Sequence, residues 1–135
     1  MNISSFSDLL AAARAQSEPQ RLLFVFAQAE LAEDSTDEER RRFEAGEGGA
    51  LVPVMTVDKA PDEIVDFATL ARESLAIGNK PWAIVFVAAI GGRQGVAPAA
   101  ADVAQALDGM TASIRSGNLS SFIPFDRDGH TVVFN

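Results

Sequence analysis

The apolar run over residues 82–90 constrains the fold of this chain more than any other stretch. Its nine residues carry no charge and, apart from the indole of Trp82, no hydrogen-bonding side chain. Its Ile, Val and Phe residues favour a pleated strand. Because polar residues do not alternate with apolar ones, we predict a central strand with helices on both faces. The run is far shorter than the roughly 20 residues that a membrane-spanning helix needs.

A second apolar run, within residues 21–30, predicts another interior strand. Around these two runs the patterns predict, in chain order, a helix over residues 3–16, a helix capped by Ser35 or Thr36, a strand over 50–58, a helix from Pro61 to Gly78, a helix from Pro98 to Gly117, a strand over 120–125 and a short terminal strand over 131–134. This order predicts one α/β domain over residues 1–135. We expect a mixed or largely parallel sheet of four or five strands, with helices packed on it.

Two further patterns bear on this architecture. Pro53 and Pro124 lie in predicted strands, and because proline has no N–H to donate, both strands are expected at or near sheet edges. A bulge is the alternative for the strand that contains Pro53. A shift of 61 positions places residues 23–27 on residues 84–88, and a shift of 71 places residues 51–54 on 122–125. This indicates a duplicated αβαβ unit, or two helix–strand pairs that resemble each other only because both are amphipathic.

Composition excludes several classes of function. The chain of 135 residues has no cysteine and one histidine, which excludes disulfides, zinc–thiolate sites and a thiol nucleophile. Its formal net charge of −8 disfavours nucleic acid and anionic membranes as partners. The first residues lack the basic and apolar regions of a signal peptide, so we expect a cytoplasmic protein.

Several blocks together resemble a family of small uncharacterised bacterial proteins: residues 24–31, 40–54, 81–88 and 124–126. Members of that family are sometimes labelled a ribonucleotide reductase alpha subunit. That activity requires one cysteine to form a thiyl radical and a cysteine pair to supply electrons, and this chain has none. The resemblance therefore brings no catalytic residue.

The glycine-rich stretch Gly91, Gly92, Arg93, Gln94 and Gly95 is the candidate ligand site. It follows the central strand and precedes a helix, which is where α/β sheets often bind ligands and where N–H groups attract anions. Its spacing matches neither the dinucleotide fingerprint nor the P-loop. The alternative interpretation is a simple connection between a strand and a helix.

Other polar clusters have structural explanations. Arg40, Arg41 and Arg42 follow three acidic residues at helical spacing and predict a solvated face, with docking of an acidic partner as the alternative. His130 lies in a turn after Gly129, with no nucleophile signature elsewhere, so we assign no catalytic residue, no metal site and no cofactor.

Two hypotheses for function remain. The first is an acidic, non-catalytic accessory or protein-binding domain, with a protein partner or a homo-oligomer. The alternative is a sensor or enzyme that binds a small anionic metabolite at the glycine-rich stretch, with Arg93 as the anchor.

Overall fold

A computed structural model of the chain describes residues 3–31, 34–45, 50–78 and 81–133. The helices are α1 (Phe6–Arg14), α2 (Asp37–Glu44), α3 (Phe67–Gly78) and α4 (Ala100–Arg115), with a 3₁₀ turn at Pro61–Glu63. The strands are β1 (Gln20–Glu30), β2 (Ala50–Lys59), β3 (Ile84–Gly91) and β4 (Ile123–Phe125).

The four strands form one sheet in the order β2-β1-β3-β4, and every neighbouring pair is antiparallel. The expectation that the two apolar runs lie inside the sheet is confirmed. The expectation of a mixed or largely parallel sheet is wrong.

The connections explain this error. A helix between two strands often crosses over to a parallel neighbour, but α2 buries no residue and connects the adjacent antiparallel strands β1 and β2. β2 and β3 do run in the same direction, since both are antiparallel to β1, but β1 separates them. A strand that is covered by helices on both faces is apolar throughout in a parallel sheet and in an antiparallel sheet. Its composition therefore does not show in which direction the neighbouring strands run.

Both prolines lie in outer strands, as predicted, and the register explains their position. Pro53 lies opposite Ala27 beside a bulge, and the Ala27 carbonyl accepts a hydrogen bond from the Ala83 N–H on the β3 side. In an antiparallel ladder, residues alternate between the two neighbouring strands, so the backbone of Pro53 faces away from β1. Pro124 likewise faces away from β3, because its carbonyl accepts from the Val132 N–H.

One face of the sheet packs against α1 and α3 in an aromatic core. Phe24 and Phe26 of β1 are fully buried there, with Phe6 of α1 and Phe125 of β4. The Phe6 ring meets Phe125 edge to face at 5.5 Å, and Phe26 meets Trp82 at 5.0 Å, geometries that aromatic pairs prefer.

The opposite face is covered by α4. Leu23, Val25 and Phe86 point toward it, and α4 contributes a stripe of buried side chains, Val103, Met110 and Ile114. α4 lies over β1 and β2. The alternating faces of β1 are therefore both buried, which is why its sequence shows no polar alternation.

The bounds of several predicted elements differ from the structure. The helix expected from Pro61 begins at Phe67, because residues 61–63 form a 3₁₀ turn and the Asp66 carboxylate caps the helix by accepting from the Thr69 N–H at 2.8 Å. The predicted terminal strand contributes one bridge pair, Thr131 with Phe125, and its last predicted residue, Phe134, lies outside the described residues.

The elements related by the proposed repeat occupy equivalent positions in the sheet. The strands β1 and β3 lie side by side at the centre and β2 and β4 at the two ends. Val25, which the 61-residue shift places on Phe86, is also its register partner. Common origin of the two halves stays a prediction.

Candidate functional site

The glycine-rich stretch forms a small hairpin rather than an open loop. The N–H of Arg93 donates to the Val96 carbonyl and the N–H of Val96 donates back, both at 2.9 Å. The two residues between them, Gln94 and Gly95, have φ of 52° and 78°, which is the left-handed pattern of a type I′ turn. The helix α4 begins only at Ala100.

Two glycines of this stretch, Gly92 and Gly95, have a structural reason. A Cβ on Gly92 would lie 1.8 Å from the Val96 carbonyl oxygen, so the hairpin needs glycine there. A Cβ on Gly91 would meet only the end of the flexible Gln20 side chain, which can move aside. Gly95 supplies a positive φ at no steric cost.

The N–H groups of Gly92, Arg93, Gly95 and Val96 already have acceptors within the protein. The Gly92 N–H donates to the Pro19 carbonyl at 2.8 Å, and the Gly95 N–H donates to the Glu18 carboxylate at 2.9 Å. A carboxylate of the chain itself therefore occupies the position expected for an anion. Arg93 is exposed beside a cleft of about 530 Å³, which Asp102 of α4 also lines.

The carboxylates with lowered pKa have structural roles. Hydrogen bonds from the Thr36 backbone and hydroxyl hold the pKa of Glu39 below its ordinary value, within a capping box at the start of α2. A backbone hydrogen bond from Ser4 lowers the pKa of Asp8 in the same way, at α1. Each shift reflects the capping of a helix start.

Asp126, Asp128 and His130 lie close together in the final turn. One oxygen of Asp126 accepts the N–H groups of Asp128 and His130, at 2.9 and 3.0 Å. This is an Asx-type turn that closes the hairpin after β4. Arg127, between them, places its guanidinium 5.8 Å from the centre of the Trp82 ring.

A feature that the sequence did not indicate is an open edge on β3. β4 pairs only with residues 85–87 of β3, whereas β3 continues to Gly91. The Gly92 N–H faces β1, so by alternation the backbone of Ala89 faces the opposite direction. Within the part of the chain that the structure describes, no strand lies opposite Ala89 there, and Ala89 is exposed.

An apolar groove of about 160 Å³ lies next to this edge, between α1 and the sheet. Its floor includes Leu22, Val87 and Ala89, and its α1 wall includes Leu9 and Ala12. Ile3 and Ile123 belong to the apolar lining, and Gln16 and Gln20 are the polar residues that line the groove. We call this the α1–β3 groove.

Sequence reasoning missed this groove because it depends on the length of β4. The predicted strand over residues 120–125 would have covered β3 further, but Phe122 turns back through its N–H to the Leu119 carbonyl. Ser120 and Ser121, next to this turn, are the available signal of a shorter strand, since serine favours turns.

Comparison of the chain with protein-family models, with curated proteins and with solved structures found no match. The resemblance to small bacterial proteins therefore stays a prediction. No helix among the described residues is both long and apolar enough to cross a membrane.

Proposed function

We propose that this chain is a non-catalytic protein-binding domain that takes up an extended segment of its partner as an added strand. The observation that carries the proposal is the open edge at Ala89, whose N–H and carbonyl face outward beside the α1–β3 groove. An exposed strand edge of this kind pairs with another extended chain through its backbone groups, while neighbouring pockets select side chains.

The edge on β3 is better suited to this role than the edge on β2. On β2, Pro53 faces outward without an N–H and a bulge follows it, two features that protect edge strands from pairing. Ala89 keeps its N–H, and the small Ala89 side chain leaves the groove open.

The alternative, an anionic metabolite held by residues 91–95 and Arg93, has less support. Gly92, Arg93, Gly95 and Val96 all donate their N–H groups within the protein, and Glu18 places a negative charge at the hairpin. An incoming anion would have to displace that carboxylate.

Selection from a library of random twelve-residue peptides on the intact protein tests the proposal. We expect selected, synthesised peptides to bind the parent protein, and Ala89→Pro to weaken binding at least tenfold by removing the outward N–H. Thr56→Pro is the matched control, because the backbone of Thr56 faces outward on the other edge of the sheet. The affinity of this variant for the peptides should stay within twofold of that of the parent protein.

Thermal melts with inorganic phosphate test the alternative, an anionic metabolite bound at residues 91–95. Inorganic phosphate at millimolar concentration should not raise the melting temperature, whereas a bound ligand would raise it. A library that yields no binder, together with stabilisation by phosphate that Arg93→Ala abolishes, would replace protein binding with anion binding.

A further inference from the structure

We infer that the α1–β3 groove receives one apolar side chain of the bound segment, and that the segment carries basic residues on both sides of it. This inference rests on the proposed function and specifies the partner: an extended segment of another protein with a single branched aliphatic or phenyl side chain between lysine or arginine residues.

The position of the groove follows from the alternation of a strand. A segment paired with Ala89 places every second side chain on the α1 side of the sheet, where the side chains of Val87 and Ala89 also lie. The side chain nearest Ala89 therefore enters the space between β3 and α1.

The size and lining of the groove define that side chain. A volume of about 160 Å³ is close to that of a cavity that binds benzene, roughly 150 Å³. Its residues are apolar apart from two glutamines, and Ala12, Ala13 and Ala89 leave the space that larger side chains would fill. A charged side chain would lose its hydration there without an ion-pair partner in the lining.

Charge determines the rest of the segment. Two acidic residues neighbour the lining: Asp8 lies one helical turn before Ala12, and its carboxylate accepts from Ser4 next to Ile3. The carbonyl of Glu18 accepts from the Gln20 side chain, and its carboxylate accepts from the Gly95 N–H. The whole chain carries −8, so a second copy is repelled and a segment with basic flanks is attracted.

The test uses a selected peptide whose binding Ala89→Pro weakens. Ala12→Leu fills the groove and should reduce affinity at least tenfold, whereas Ala11→Leu, on the exposed side of α1, should leave it within twofold. Replacing the apolar residue of the peptide by serine should reduce its affinity for the unmodified protein by a similar factor. This second measurement does not depend on the folding of a protein variant.

A salt titration tests the charges. Raising the NaCl concentration from 50 to 300 mM should reduce the affinity for the peptide several-fold, because added salt screens the attraction between exposed charges. If Ala12→Leu and the serine peptide both bind as tightly as their parents while Ala89→Pro still weakens binding, the groove plays no part and strand addition alone remains. The inference of basic residues on both sides would be wrong if the affinity did not change with salt concentration, or if the selected peptides were acidic.

Discussion

At the scale of single residues, Ser74 is the buried polar side chain of the described core, with 2% of its surface exposed. Its hydroxyl accepts the Trp82 indole N–H at 2.8 Å and donates to the Ala71 carbonyl at 2.6 Å. Trp82 is therefore held at the centre of the aromatic face with its one polar atom satisfied.

Replacing Ser74 by Ala should lower the free energy of unfolding by about 1–3 kcal/mol, because the buried indole N–H loses its acceptor. Ser116→Ala is the matched control, since that exposed hydroxyl only donates to the Ala112 carbonyl one turn back. Urea titration followed by tryptophan fluorescence compares the two. Equal midpoints for both variants would mean that the indole finds another partner.

Asp66 links stability to pH. Hydrogen bonds from the hydroxyl and backbone N–H of Thr69 hold the pKa of Asp66 below its ordinary value. A carboxyl with a lowered pKa stabilises the fold above about pH 3.9, its unfolded pKa, and this contribution disappears as the pH falls through the folded pKa.

Asp66→Asn keeps a capping oxygen but removes the charge. We expect the variant to melt below the parent at pH 7 and the difference to close as the pH falls below about 4, measured by thermal melts between pH 7 and 3. If the difference in melting temperature stayed constant over this pH range, the effect of the substitution would come from the shape of the side chain and not from its charge.

At the scale of elements, replacing glycine by alanine should have opposite effects on stability next to the hairpin over residues 93–96 and inside helix α4. Gly92→Ala should destabilise the protein, because the new methyl group would meet the Val96 carbonyl. Gly109→Ala, inside α4 with no atom within 4 Å of its Cβ position, should stabilise it by about 0.5–1 kcal/mol. Calorimetric melts measure both. A Gly92→Ala variant as stable as the parent would contradict the hairpin geometry.

Elements with local signals were predictable from the sequence. Thr36 and Glu39 form the capping box expected at the start of α2, and the apolar runs became β1 and β3. Strand direction was not predictable, because it depends on whether a connecting helix crosses over the sheet, and α2 does not. The 3₁₀ turn at Pro61–Glu63 carries a proline and acidic residues, which are typical of the start of an α-helix, although α3 begins only at Phe67.

At the scale of the whole molecule, stability depends on a sheet buried on both faces. Phe86→Asp places an unpaired charge where the parent side chain is fully buried, which costs several kcal/mol of a total of roughly 5–15. We expect loss of the cooperative melt, whereas Val65→Asp, at a position 78% exposed, should melt within a few degrees of the parent. A cooperative melt for Phe86→Asp would contradict the buried position of β3.

The candidate site was predictable only in part. The sequence placed residues 91–95 at the end of the central strand, which is correct, but the acceptors of the Gly92 and Gly95 N–H groups are Pro19 and Glu18, about 75 residues earlier in the chain. The open edge at Ala89 exists because β4 is short, and α1 forms one wall of the groove. Such features depend on contacts between distant segments, which local patterns do not reveal.

Amide hydrogen exchange, read by NMR with and without a selected peptide, tests the open edge most directly. In the free protein the Ala89 amide should exchange rapidly, while the neighbouring Ala88 and Ile90 amides, which face β1, exchange slowly. With the peptide bound, the Ala89 amide should become protected and that of Thr56 on the other edge should not change. An Ala89 amide as protected as Ala88 in the free protein, or unaffected by the bound peptide, would contradict strand addition at this edge.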